Sequence, residues 1–242
     1  MSTKNGANSI SSLSVFLLLL VSLFALAASG ASHPESPSHD EKEILQHFRE
    51  KHKDTHAIRA TVYQDKNLVA LKDPVHVEGT VLLEKPGLLR WEAHVPEKSV
   101  TIIDRDTMQV YYPDDKEAEI HKLSDHLIAR STMTFFGSVM WGDMENMEKR
   151  FAVSMHQDGG ELRIQLQPRS RIVSRYLSSI IIRYNNQTGM PRGFEVTTPK
   201  GDRTVTRIDE LMVNPEIDSD AFTLILPPDV RVWDYSVTVD TN

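Results

Sequence analysis

Ten histidines and thirty-four carboxylates give this 242-residue chain the raw material for metal or acid–base chemistry, but their spacing does not assemble it. His47, His52 and His56 share no clean ligand spacing on a helix and are expected at the surface. Asp104 with Asp106 and the pair Asp114-Asp115 fall in turn sequences, where solvated carboxylates are the ordinary outcome. There is no cysteine, which excludes thiolate zinc sites, thiol nucleophiles and disulfide staples. The sequence also lacks the nucleophile-elbow, zincin, P-loop and dinucleotide glycine patterns. Asn186-Gln187-Thr188 fits a glycosylation acceptor, but in a chain with the look of bacterial export the match reads as accidental. No catalytic residue, cofactor or metal ligand is assigned, and the protein is expected not to be an enzyme.

What these residue types can do is hold something apolar. Met133, Phe136, Met140, Met144 and Met147 recur at spacings of three and four, with Phe135 and Trp141 alongside, in a helical stretch from about Ser124 to Lys149. Four of the nine methionines fall in this stripe, where flexible thioethers can repack around a variable guest. An ordinary core-facing helix would show the same periodicity; the concentration of methionine is what favours binding. Gly137 and Gly142 should loosen or break the helix.

Alternating strands must position that stripe. Val75, Val77, Val81 and Leu83 alternate with polar residues, Lys85-Pro86-Gly87 makes a turn, and Leu89, Trp91, Ala93 and Val95 alternate again. A long strand from Thr55 to Leu71 precedes this pair, and Ser99–Ile103, Thr107–Tyr112 and Glu117–His121 follow. The second half repeats the pattern at Phe151, Val153 and Met155, at Leu162, Ile164 and Leu166, at Ile180, Ile182 and Tyr184, and at Phe194 and Val196. Val205–Val213 and Phe222–Leu226 close it. Turn signals at Asp158-Gly159-Gly160, Gln187-Thr188-Gly189 and Lys200-Gly201-Asp202 suit an up-and-down sheet. The expected fold is mainly β, an incomplete antiparallel barrel of roughly eleven strands with a helical lid over its concave apolar face. Such a sheet curls and exposes more apolar surface than two short helices cover, and an acyl chain is the natural filler.

An export signal bounds the chain. Lys4 precedes a nearly unbroken apolar run from Val15 to Ala28, too short to span a bilayer comfortably, and small residues follow at Ser29-Gly30-Ala31. Residues 1–31 read as a cleavable signal peptide, 32–40 as a polar, proline-punctuated linker, and 41–242 as a single domain. That domain should open on a short helix, capped near Ser38 or Asp40, with Ile44, Leu45 and Phe48 on one stripe. The formal net charge of −7 lacks the basic stripe of a nucleic-acid binder.

In the order and spacing of these segments the chain resembles the LolA outer-membrane lipoprotein carriers. The resemblance runs through the N-terminal helix, the Gly79 to Trp91 segment with its basic-Pro-Gly turn, the Tyr111-Tyr112-Pro113 strand end and Asn214. It ends on Phe222 with Pro227-Pro228-Asp229-Val230-Arg231-Val232, similar to that family's terminal Phe-x-x-x-x-Pro-x-x-Val. The sibling LolB receptors share the fold but are lipid-anchored, and the missing cysteine favours the soluble carrier.

The resemblance implies a periplasmic, monomeric carrier that shields acyl chains of lipoproteins. It would take them from an inner-membrane donor complex and hand them to an outer-membrane acceptor. Lipid-binding positions are then expected at Val81, Leu83, Leu89, Trp91, Phe136, Met140, Trp141, Met144, Val153, Leu162, Ile164, Leu166 and Ile182. Family members usually place Arg before the turn proline, where it couples the lid to cargo state. Here that residue is Lys85, a point charge in place of a planar fork, with Arg90 as a second lid-coupling candidate. A glycolipid or biosynthetic lipid intermediate as cargo, or a lipid sensor that does not transport, are the alternative readings.

Overall fold

In the computed structural model, residues 50–123, 137–141 and 144–236 are described, with backbone alone for 144–146. The expected signal peptide, the linker and the helix carrying Ile44, Leu45 and Phe48 lie outside the described residues, as do Met133, Phe135, Phe136 and the side chain of Met144.

Regular alternation produces twelve strands in one sheet. The first run is β1 (Ala57–Asn67), β2 (Val75–Glu84), β3 (Leu88–Val95), β4 (Ser99–Ile103), β5 (Thr107–Tyr112) and β6 (Glu117–Lys122). After helix α1 (Met144–Arg150) come β7 (Phe151–Asp158), β8 (Glu161–Pro168), β9 (Ser179–Asn185), β10 (Pro191–Thr197), β11 (Arg203–Val213) and β12 (Arg231–Asp234). In space the order is β12-β6-β5-β4-β3-β2-β1-β11-β10-β9-β8-β7. The pairing of β1 with β11, from Ile58 opposite Val213 to Asn67 opposite Arg203, joins the two meanders. Because β12 and β7 are opposite edges, the sheet stays open and does not close into a barrel.

The strand count differs from the expected eleven at the C-terminal end. Residues 222–226 are not a strand. Ala221 N–H donates to the Asp218 carbonyl and Thr223 N–H to the Asp220 carbonyl, so the chain turns twice in succession. Pro227-Pro228 then has no N–H to offer a ladder. Pairing resumes at β12, which runs parallel to β6 with Arg231 beside Glu117.

One face of the sheet is the core. The register sets Leu83, Leu89, Ile103 and Met108 in one row across β2 to β5, and Val81, Trp91, Thr101 and Val110 in the next. Leu162, Ile164, Leu166, Ile180, Ile182 and Tyr184 continue the same buried cluster over β8 and β9. β6 and β7 are consecutive strands, yet β7 is one edge and β6 is next to the other. The described parts of the chain that joins them, a helical turn over 137–141 and α1, lie on the inner face, where Val139, Met140 and Met147 belong to the same cluster.

Asn214 fixes the seam at the end of β11. Its Oδ1 accepts from the N–H groups of His56 and Ala57 at 2.9 and 3.2 Å, and its Nδ2 donates to the Asp54 carbonyl at 3.0 Å. Its φ of 51° is one that asparagine tolerates better than other non-glycine residues. Asn214→Ala should cost about 1–3 kcal/mol in urea unfolding, and Asn214→Gly should recover only the backbone part, about 1 kcal/mol. Equal stability of Ala and Gly variants would show that the left-handed conformation carries no strain.

Candidate functional site

The β2–β3 turn and the crossing segment meet at one end of the inner face. Gly87 N–H donates to the Glu84 carbonyl at 3.1 Å and Lys85 N–H to the His56 carbonyl at 2.9 Å, which pins the turn to the start of β1. From that turn the Lys85 ammonium stands over the Trp141 ring, 5.0 Å from its centroid. An ammonium over an indole face is attracted by the ring quadrupole, and at an exposed lysine this is worth about 0.5–1 kcal/mol.

Two further contacts hold the crossing segment. The hydroxyl of fully buried Tyr184 donates to the Val139 carbonyl at 3.1 Å, and desolvation drives its pKa well above the ordinary phenol range. Arg169 Nε donates to the Phe151 carbonyl at 2.9 Å and to the Glu148 carbonyl at 3.3 Å, tying the end of α1 to the strand that follows. Met140 is 0% exposed under these ties.

Val81, Leu83, Leu89, Leu162, Ile164, Leu166 and Ile182 are all buried in the cluster that includes Met140, and Trp91, Trp141 and Val153 pack against it half-buried. Phe136 and the Met144 side chain lie outside the described residues. Arg90 sits elsewhere, which corrects its pairing with Lys85 as a lid contact. It neighbours Leu82 and Ile102 in the register, so alternation turns it to the outer face, away from Leu89 and Trp91. There Arg90 Nε donates to Glu92 at 2.6 Å and Nη1 to the Ala221 carbonyl at 3.0 Å. It fastens residues 218–225 over an outer groove of about 520 Å³ lined also by Arg59, Tyr111 and Asp220.

The expected surface placement fails for His52, and a second histidine is buried: His121, with Nε2 2.9 Å from Glu119. His52 is 3% exposed at the Lys85 end of the site, with Nε2 2.7 Å from the Gly189 carbonyl. Burial holds its imidazole below the ordinary 6.5; hydrogen bonds to the Gly189 and Met140 backbone oppose the shift and the Lys85 charge adds to it. No sequence spacing marked His52, because its neighbours Gly189 and Lys85 are distant in the chain. The turn carboxylates behave as read: Asp104 accepts from the N–H groups of Asp106 and Thr107 at 2.7 and 2.6 Å inside its own turn. Among the described residues no cluster of histidines and carboxylates is arranged to hold a metal ion.

The inner face is not apolar throughout. Towards the other end of β1, Gln64 donates to Thr206 at 3.0 Å, and burial lowers the Lys66 ammonium to about 8.

Two measurements probe this end of the site. Lys85→Ala should raise amide exchange over residues 137–141 about two- to fivefold relative to the parent, as expected for losing about 0.5–1 kcal/mol, with global stability nearly unchanged. Unchanged exchange would mean that Lys85 is only a solvated turn residue. For His52, folded and unfolded chains are both neutral above about pH 6.5, so stability is level there. As pH falls below 6.5 the unfolded chain takes up a proton that the folded site resists, and stability drops until the folded value is passed. His52→Gln should flatten this part of the slope in urea unfolding; an unaltered slope would show that the imidazole protonates in place.

The comparisons with known proteins agree with this architecture. The family model for outer membrane lipoprotein carrier protein LolA matches residues 53–225. An outer-membrane lipoprotein carrier protein of Chromohalobacter salexigens is 25% identical over 150 residues, spanning 62% of this chain and 67% of its own. One from Pseudomonas paraeruginosa is 23% identical over 154 residues, spanning 64% and 70%. Among solved structures, an uncharacterized conserved protein from Thermus thermophilus shares the fold at a TM-score of 0.51 and 14% identity, covering 81% of this chain and 99% of its own. With the model matching well over half of its length, the chain belongs to the LolA family of outer membrane lipoprotein carrier proteins.

Proposed function

We propose that this protein is exported, loses residues 1–31 and works in the periplasm as a monomeric carrier of acyl chains. The observation that carries the reading is the broad, largely apolar inner face covered by the described parts of the β6–β7 connection, which bury Val139, Met140 and Met147 against it. Family membership supports it, since the relatives it matches are named as lipoprotein carriers. An acyl chain entering this face takes the place of Val139, Met140 and Met147, and the segment settles back over it. Each methylene taken from water contributes about 0.8 kcal/mol, so a few turns of contact suffice to hold a chain.

Transfer of this kind breaks no covalent bond. Loading comes from an inner-membrane donor and release goes to an outer-membrane acceptor that binds the chains better. Affinity has to stay moderate, which requires open and closed states separated by only a few kcal/mol. Lys85 is the switchable tether in this scheme, and Arg90 is not part of it.

Lipid extracted from protein isolated from the periplasm should contain acylated species in amounts approaching one cargo per chain by mass spectrometry. The identity of that species separates lipoprotein from glycolipid or biosynthetic lipid. Met140→Asp buries a charge beneath the segment at a cost of several kcal/mol. It should weaken retention of a fluorescent long-chain fatty acid at least tenfold with the β-sheet circular dichroism intact. A lipid-free protein that also ignores the fluorescent chain would end the carrier reading.

A further inference from the structure

Three hydrogen-bonding groups stand bare inside the apolar face. Among the described residues, Trp91 Nε1, Thr101 Oγ1 and Tyr112 OH are buried and have no hydrogen-bond partner. Thr101 is 0% exposed and Tyr112 7%, so both hydroxyls are shut away from bulk water. Bare polar groups are few in a folded interior because each gives up its water without recompense.

Their placement is not scattered. Trp91 on β3 lies directly opposite Thr101 on β4; Thr101 lies opposite Val110 on β5, and Tyr112 is two residues further on the same face. Cross-strand neighbours of this kind have Cβ atoms about 5 Å apart and diagonal ones about 7–8 Å, so the three side chains share one patch of the face. Gly79 fixes the indole, for a Cβ there would stand 2.7 Å from the Trp91 ring and would also collide with the Glu92 carbonyl. The ring therefore packs over bare backbone on β2.

All three groups can donate: the indole N–H only donates, and the two hydroxyls can turn to do so. Their natural guest is an acceptor. Its charge is set by the surroundings: burial, and after it the charges of Glu119, Glu97 and Asp115, raise the Tyr112 pKa. A field that opposes a phenolate also opposes a carboxylate or phosphate bound to that hydroxyl. We propose that Trp91, Thr101 and Tyr112 form a polar subsite within the apolar face that binds the neutral carbonyl of an ester or amide joining an acyl chain to its head group. The proposal rests on the carrier reading and adds that the linkage, as well as the chain, is read.

The test compares the exported protein with its Thr101→Val and Tyr112→Phe variants, using displacement of a fluorescent acyl probe. The competitors are methyl palmitate, a length-matched alkane and palmitate at neutral pH. The parent should prefer the ester over the alkane about tenfold, and each variant should lose most of that preference while keeping its affinity for the alkane. Because neither hydroxyl has a partner, removing it should leave the thermal midpoint unchanged or raise it. Equal binding of ester and alkane by the parent, or a preference that survives in both variants, overturns the subsite and leaves the carrier standing. A clear fall in midpoint also overturns it, since the hydroxyls would then be bonded within the protein. Palmitate outcompeting the ester overturns the neutral acceptor. If none of the three competes, the carrier reading fails first.

Discussion

The strand order makes the chain between β6 and β7 cross the sheet. These strands follow one another in sequence but lie at or next to opposite edges, because β1 and β11 join the meanders in the middle. The described parts of that connection, 137–141 and α1, lie over the inner face. The inner face carries the larger apolar surface, and a segment with Val139, Met140 and Met147 on one side buries there. The cover and the apolar face beneath it therefore have a common origin in the topology. The seam is also where Asn214 binds the first residues of β1, so the arrangement is locked at the centre and least restrained at the edges.

What holds the cover in place is small beside what holds the sheet. Each strand is bonded along its length to a neighbour, whereas the polar ties on the described crossing segment are point contacts, among them Lys85 over Trp141, Tyr184 to the Val139 carbonyl, His52 to the Met140 backbone and Arg169 at the end of α1. Single contacts of this type contribute about 1 kcal/mol each. Most of the hold comes from burial of the segment's own side chains, and a guest that buries equivalent surface can replace that burial almost evenly. Exchange between protein side chains and an acyl chain is then close to isoenergetic. That balance suits release as well as uptake.

Much of the frame could be read from alternation. Val75 to Leu83 and Leu89 to Val95 gave the central hairpin and its buried face, because a period of two leaves little choice once one side is apolar. The same rule already turned Arg90 away from Leu89 and Trp91. Residues 222–226 misled because five apolar or β-prone residues look like a strand, while the turns at Asp218 and Asp220 and the fixed prolines decide otherwise. The parallel β12 has only four residues, and its partner is more than a hundred positions away, so nothing local could announce it. His52 illustrates a different limit. Its burial depends on Gly189, a contact made only after two meanders have come together.

Polar residues on the inner face obey the same logic with less warning. Thr101 occupies an inward position of β4 between Trp91 and Val110, and a β-branched residue there passes for ordinary strand chemistry. Only the finished sheet reveals that its hydroxyl, the Tyr112 phenol and the Trp91 indole gather on one patch without partners. An entirely apolar face would grip any hydrocarbon by length alone. A few bare donors within it favour a guest that brings an acceptor, because only that guest satisfies them. Selectivity can thus be built from groups that destabilise the unloaded protein slightly.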